Sequence, residues 1–276
     1  MLYPFYSAVE EPCVSDYTDL TVARRENGVV VATLSDPDRR NAMSEEMTGS
    51  WQRLMAELAD DREVRCLVVT GAGTAFCSGG DLGWLGGHPD ARVDQLREKM
   101  IAFYRAWLSV RSLEVPTIAA VNGPAIGAGL CLALACDLRY AAPNAKLAAP
   151  FTALGMHPGM AATWLLPDVV GPAASRDLLL TGRTVSAEEA SRMGLVNAVL
   201  DGDAFLDEVL EVAGRVAAAA PVATRYTTLA LRQGHASLEA ALQWEALAQP
   251  ITLATEDLRE GLAAATERRT PRFTGR

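Results

Sequence analysis

A chain of 276 residues, half of them apolar, is long enough to bury a sizeable core, as one large domain or as a main domain with an appended helical piece. Its 25 basic and 34 acidic residues give a formal net charge of −9, and no Lys/Arg run interleaved with aromatics stands out, so the footprint of a nucleic-acid binder is missing. No segment reaches the roughly 18 uninterrupted apolar residues of a membrane span, and Pro4, Glu10, Glu11 and Pro12 break the start too often for a signal peptide. These features predict a soluble cytoplasmic protein, and they leave room for a small anionic ligand held by a few local arginines.

Residues 19–37, DLTVARRENGVVVATLSDP, predict two strands joined at Asn27-Gly28, a strong hairpin signal. In residues 44–61 the apolar side chains Met47, Trp51, Leu54, Met55 and Leu58 recur at helical spacing, with Ser44 as the cap and Glu45 and Glu46 in the first turn. Residues 64–73, VRCLVVTGAG, form a continuous apolar run closed by glycines, the pattern of a strand covered on both faces. A helix over 90–110, a second buried strand over 115–123 and a glycine-opened helix over 127–137 continue the β-to-α alternation of an α/β layered fold. After residue 150 the chain becomes rich in Ala, Leu and Glu, and helices are expected over 203–219, 222–233 and 237–267. Such amphipathic helices need a surface to pack on, from the core or from a neighbouring subunit.

The five cysteines, at 13, 66, 77, 131 and 136, are odd in number and contain no C-x-x-C pair, which points to reduced, buried thiols. His88, His157 and His235 are widely spaced and lack clustered carboxylates, so no metal is assigned. The stretch AVNGPAIGAGLCLALACD, residues 120–137, places Gly123, Gly127 and Gly129 between a buried strand and an apolar helix. Glycines in that position can leave backbone N–H groups aimed at an anion or a developing oxyanion.

Three segments together, DPDRRNAMS (36–44), GAGTAFCSGGDLGWL (71–85) and residues 120–137, resemble the crotonase (enoyl-CoA hydratase/isomerase) superfamily. Downstream, residues 180–199 and 256–273 resemble family segments in the same order, so the likeness spans roughly 18–276. It implies an α/β, crotonase-like spiral of ββα units with a C-terminal helical trimerisation region. The parts would be an N-terminal extension (1–17), a core (18–200) and a C-terminal helical region (201–276), assembled as a homotrimer or a dimer of trimers. The implied ligand is an acyl-CoA thioester, as substrate or ligand, with no other cofactor.

The resemblance also implies roles residue by residue. The backbone N–H groups of Gly80 and Ala128 would form the oxyanion hole, with alanine at 128 where glycine is more usual. CoA would be held by Arg39, Arg40, Ala42, Ser78, Asp81, Leu82 and Arg268; arginine suits phosphate because its fork donates paired hydrogen bonds. Plainer readings stand beside these: a solvated Arg39-Arg40 pair, a turn-capping Asp81 and a charged helix end at Arg268. The family's catalytic carboxylates fall at Cys131 and Phe151, and an alternative aspartate at Gly159, so none is present; these three positions would border the acyl pocket. His157 is the replacement base by chemistry, or else a hydrogen-bonded structural residue, and Cys131 is either a nucleophile or an inert buried thiol. Two functions follow: an acyl-CoA-utilising hydratase/isomerase-type enzyme with a non-standard base, or a non-catalytic acyl-CoA binding protein. A purely structural oligomerisation module explains the two retained glycine loops poorly.

Overall fold

The computed structural model describes residues 17–81, 83 and 90–276; expectations placed on residues 1–16, including Cys13, and on Leu82 and His88 lie outside these. The strands in chain order are β1 (Leu20–Arg24), β2 (Val29–Leu34), β3 (Cys66–Gly71), β4 (Thr117–Val121), β5 (Ala125–Ile126), β6 (Leu138–Ala141), β7 (Lys146–Ala148), β8 (Thr184–Ser186) and β9 (Ala198–Val199). One sheet runs β1-β2-β3-β4-β6-β9, parallel except for the β1–β2 hairpin, and a small second sheet runs β5-β7-β8. The hairpin forms as expected but closes through four residues, Arg25 to Gly28. Only Gly28 is left-handed (φ 80°), so this is not the two-residue turn that Asn-Gly favours.

The helices are α1 (Glu45–Asp60), α2 (Val93–Leu108), α3 (Ala128–Ala135), α4 (Ala162–Thr181), α5 (Ala187–Arg192), α6 (Phe205–Ala217), α7 (Pro221–Gln233), α8 (Leu238–Leu253) and α9 (Glu256–Glu267). Strands β2, β3 and β4 read as unbroken apolar runs because both faces are covered. Val30, Leu34, Leu67, Val69 and Val121 join the core under α1 to α4, where Trp51 stacks on Trp107 at 5.2 Å. Val29, Val31, Cys66, Val68 and Ile118 face the other way, onto Phe205, Val209 and Ala213 of α6. Ser44 caps α1 by accepting from the Met47 N–H at 3.0 Å.

The expected single helix over 237–267 is a correction: it is two helices, because the Thr255 hydroxyl accepts from the Leu258 N–H at 3.2 Å and starts a new N-terminus. The helical region is fastened to the core by Arg232 of α7. Its guanidinium donates to both oxygens of Asp137, at 2.7 and 2.6 Å, and to the Val115 carbonyl at 3.0 Å. Among the described residues, no helix is long and apolar enough to cross a membrane.

Candidate active site

The turn that follows β2 is organised by Asn41, which is fully buried and left-handed (φ 57°). Its amide oxygen accepts from the Asp36 N–H at 2.9 Å, while its nitrogen donates to the Ala72 and Ala75 carbonyls at 2.9 and 2.8 Å. Asn122 does the equivalent from the end of β4, donating to the Gly71 carbonyl at 2.8 Å and accepting from the Gly71 N–H at 3.1 Å. Two asparagines therefore pin the turn over 36–44 and the start of the second glycine loop to the first loop, giving its peptide groups hydrogen-bond partners.

The two glycine loops approach so closely that side chains cannot fit between them. A Cβ on Gly79 would stand 2.7 Å from the Ile126 carbonyl oxygen and 3.3 Å from the Ala128 nitrogen; one on Gly129 would stand 2.3 Å from the Cys77 oxygen. Gly127, at φ 56°, turns the chain into α3. Ala128 is the first residue of α3, so its N–H has no acceptor within the helix and lies at the positive end of the helix dipole. Gly80 and Ala128 border one cavity of about 110 Å³. Its other walls come from Phe103 and Tyr104 of α2, Phe151 and the segment 154–160. Among the described residues that line it there is no carboxylate; the titratable side chains are Tyr104 and His157.

The sequence-predicted residues fall into three groups. Gly80, Ala128, Ser78, Phe151, Gly159 and His157 all reach this cavity. His157 is exposed, and its Nδ1 lies 2.8 Å from the Pro158 carbonyl oxygen. A carbonyl only accepts, so Nδ1 carries the proton of the neutral ring and Nε2 keeps its lone pair.

Cys131 is corrected as a pocket residue: it lies one turn into α3, 1% exposed, behind the wall, with Sγ 3.8 Å from the Gly159 carbonyl oxygen. Burial pushes its thiol up to about 12, which removes the nucleophilic thiolate at neutral pH. Cys66, Cys77 and Cys136 are buried free thiols as well.

The third group lies beside the cavity. Arg39 faces Asp36, Asp19 and Asp81 at 2.6, 3.5 and 3.7 Å, whereas the Arg40 side chain forms no ion pair among the described residues. The Arg40 carbonyl accepts from the Ser78 N–H at 3.0 Å, and the Ala42 N–H donates to Arg39 at 3.2 Å, so this turn is stitched to the first glycine loop. Arg268, just after α9, is exposed and does not line the cavity of its own chain. Among the described residues no group of three or more His, Cys, Asp or Glu gathers in a metal-binding cluster. Asn41, Asn122 and Tyr104 are site residues the sequence did not single out. For the asparagines the available signal was their place at the ends of the two loops.

The enoyl-CoA hydratase/isomerase family model matches residues 24–276, from β1 through both glycine loops to the C-terminus. This chain belongs to the enoyl-CoA hydratase/isomerase family. It is 33% identical over 254 residues to a crotonyl-CoA hydratase of Syntrophomonas wolfei, covering 91% of this chain and 96% of that one. It is also 44% identical over 191 residues to the Mycobacterium tuberculosis protein named "Probable enoyl-CoA hydratase EchA14", covering 69% and 73%. The crystal structure of an enoyl-CoA hydratase from Bacillus anthracis superposes with a TM-score of 0.88 at 32% identity, covering 94% of this chain and all of that one. The fold is thus of crotonase type, with the C-terminal helices the resemblance implied, and the family is one of enzymes.

Proposed function

We propose that this chain acts on acyl-CoA thioesters by stabilising a thioester enolate between the N–H groups of Gly80 and Ala128, with His157 as the base. The observation that carries the reading is the close contact of the two glycine loops, Gly79 against the Ala128 amide, beside an apolar cavity that holds no carboxylate among the described residues lining it. An enolising thioester moves negative charge onto its oxygen. Two fixed N–H donors stabilise that charge without reorganising.

Nε2 of His157 would take a proton from the acyl chain, the electrons passing to the thioester oxygen. Return of that proton to another carbon moves a double bond, and this needs a single base. Hydration also needs a group that holds water, and the resemblance puts the family's glutamate pair at Cys131 and Phe151, which cannot do so. The reading therefore favours proton transfer over fast hydration. Arg40, free of the carboxylates that engage Arg39, is the better candidate for CoA phosphates, with Ala42, Ser78, Asp81 and Leu82 along the nucleotide path. Arg268 would reach that path from an adjacent copy, in a homotrimer or a dimer of trimers.

The test is exchange of acyl protons of butyryl-CoA with D2O, followed by NMR, together with crotonyl-CoA hydration. Wild type should exchange protons and hydrate slowly. His157→Gln should lose roughly 10²-fold or more of the exchange rate while binding the thioester equally well by calorimetry. Full exchange in that variant eliminates His157. Binding without exchange in wild type favours the non-catalytic acyl-CoA binding protein, and brisk crotonyl-CoA hydration would show the carboxylate positions to be misassigned.

A further inference from the structure

We propose that a second cavity, at the far end of the main sheet from the glycine loops, binds a small organic monocarboxylate. Arg111 and Arg139 would hold its head, and the apolar walls between α4, α6 and α7 its body.

The cavity measures about 570 Å³ and shares no lining residue with the one that Gly80 and Ala128 border. Pro116, just before β4, and Leu138, the first residue of β6, lie on its wall, whereas the glycine loops follow the opposite ends of β3 and β4. The five residues of β4 put about 16 Å between the two places. The second cavity therefore stands apart from the acyl-CoA reading.

Three arginines and two aspartates line it, one positive charge in excess, on a chain whose formal net charge is −9. Asp137 is already engaged: Oδ1 accepts from Arg232 at 2.7 Å, and Oδ2 accepts from Arg232 at 2.6 Å and from the Thr117 N–H and hydroxyl at 2.7 and 2.9 Å. Asp168 is exposed and forms no ion pair among the described residues. Arg139 is only 9% exposed. Its Nε donates to the Leu195 carbonyl at 2.9 Å and Nη1 to the Cys136 carbonyl at 2.7 Å, while Nη2 has no partner among the described residues. Arg111, half-buried, donates to the Arg232 carbonyl at 3.3 Å and lies over the Trp164 ring at 5.2 Å, again without an ion pair among the described residues.

Burial lowers both guanidiniums below the usual arginine range; Arg232 lowers Arg111 further, and Arg111 lowers Arg139 further. Both still carry their charge at neutral pH. Backbone carbonyls offset a buried charge only in part, whereas a carboxylate brings a full charge and two oxygens in the geometry of the guanidinium fork. One carboxylate also matches the single charge in excess. Leu138, Val169, Val216, Ala223 and Leu231 form an apolar wall beside the arginines, which suits a hydrocarbon body better than a hydrated phosphate.

The experiment measures binding of sodium octanoate, acetate, 1-octanol and inorganic phosphate to the intact protein by calorimetry, with thermal melting alongside. Octanoate should bind and raise Tm as its concentration rises. Acetate, without the body, and 1-octanol, without the charge, should each bind roughly tenfold or more weaker. Arg111→Gln should weaken octanoate roughly tenfold or more, the worth of a hydrogen bond to a charged group. Arg139 also bonds two carbonyls of the fold, so the second variant is Leu231→Glu, at a wall position that is 78% exposed and free to change without unfolding the chain. Its carboxylate at the mouth should abolish octanoate binding. Octanoate held equally well by both folded variants sits elsewhere, in the acyl cavity or on the surface, and overturns the site. Phosphate bound more tightly than octanoate overturns the carboxylate assignment. A wild type that binds no octanoate, as when a second copy of the chain fills the cavity, overturns the proposal outright.

Discussion

Cys131 stands where the family resemblance puts a carboxylate, yet its thiol is pushed up to about 12 by burial alone, with no basic partner to lower it. Cys66, Cys77 and Cys136 are likewise raised to about 12, from an ordinary 9.0, with desolvation the largest cause. Iodoacetamide applied to the native protein at pH 8 should therefore label none of these four, while the same treatment in denaturant labels all of them, as peptide mass spectrometry will show. The linkage has a definite sign. Each thiol stays protonated in the folded chain after its unfolded counterpart ionises, so stability is intact below about pH 9 and falls above it, by about 1.4 kcal/mol per thiol per pH unit. At this scale the glycine loops were legible in the sequence because glycines at fixed offsets between a strand and a helix serve little besides a tight turn or a close backbone approach. Tyr104 was not, because an aromatic on an amphipathic helix reads as core packing. Asn41 and Asn122 act through bonds to carbonyls 31 to 51 residues away, so their place at the ends of the two loops was the one local sign of them.

Between elements, the site depends on β3 and β4 delivering their loops to the same point, and Gly79 is the contact that decides it. Gly79→Ala would force a Cβ to 2.7 Å from the Ile126 oxygen at a φ of 98°, where an alanine is also strained. The expected cost is about 2 kcal/mol or more of stability, read by chemical denaturation, together with loss of thioester turnover as the Ala128 amide moves. A variant as stable and active as wild type would show that the loop contact is not what sets the site. The amphipathic helices α1 and α2 and the covered strands of the main sheet were readable from periodicity. α4 was not, because Pro167, Gly171 and Pro172 read as breakers, and Gly171 does break the helix, at φ 75°. The small sheet of β5, β7 and β8 has strands of two or three residues, too short for any alternation to register.

For the molecule as a whole, the unsolved surface is α8, in which no side chain is buried within the chain. Leu238 is 78% exposed, Leu247 72%, Leu253 55% and Ile251 46%, far more apolar surface than one helix leaves in water without a partner. The sequence predicts a helical tail that packs on the core or on a neighbouring subunit, and the oligomer proposed above would give α8 the second of these surfaces. It would also bring Arg268 of one copy toward the cavity of the next, which its own chain does not. Light scattering at micromolar concentration should give the mass of a trimer or hexamer. Leu247 and Ile251 lie one turn apart on one face of α8, and the double variant Leu247→Glu, Ile251→Glu places charge on that face. It should dissociate to monomers that still fold, since neither side chain supports the core of its own chain. If Arg268 acts across the seam, those monomers should bind CoA more weakly than the assembled wild type. A wild type that is itself monomeric would remove the oligomer from the reading, and an unchanged mass in the double variant would move the seam away from α8.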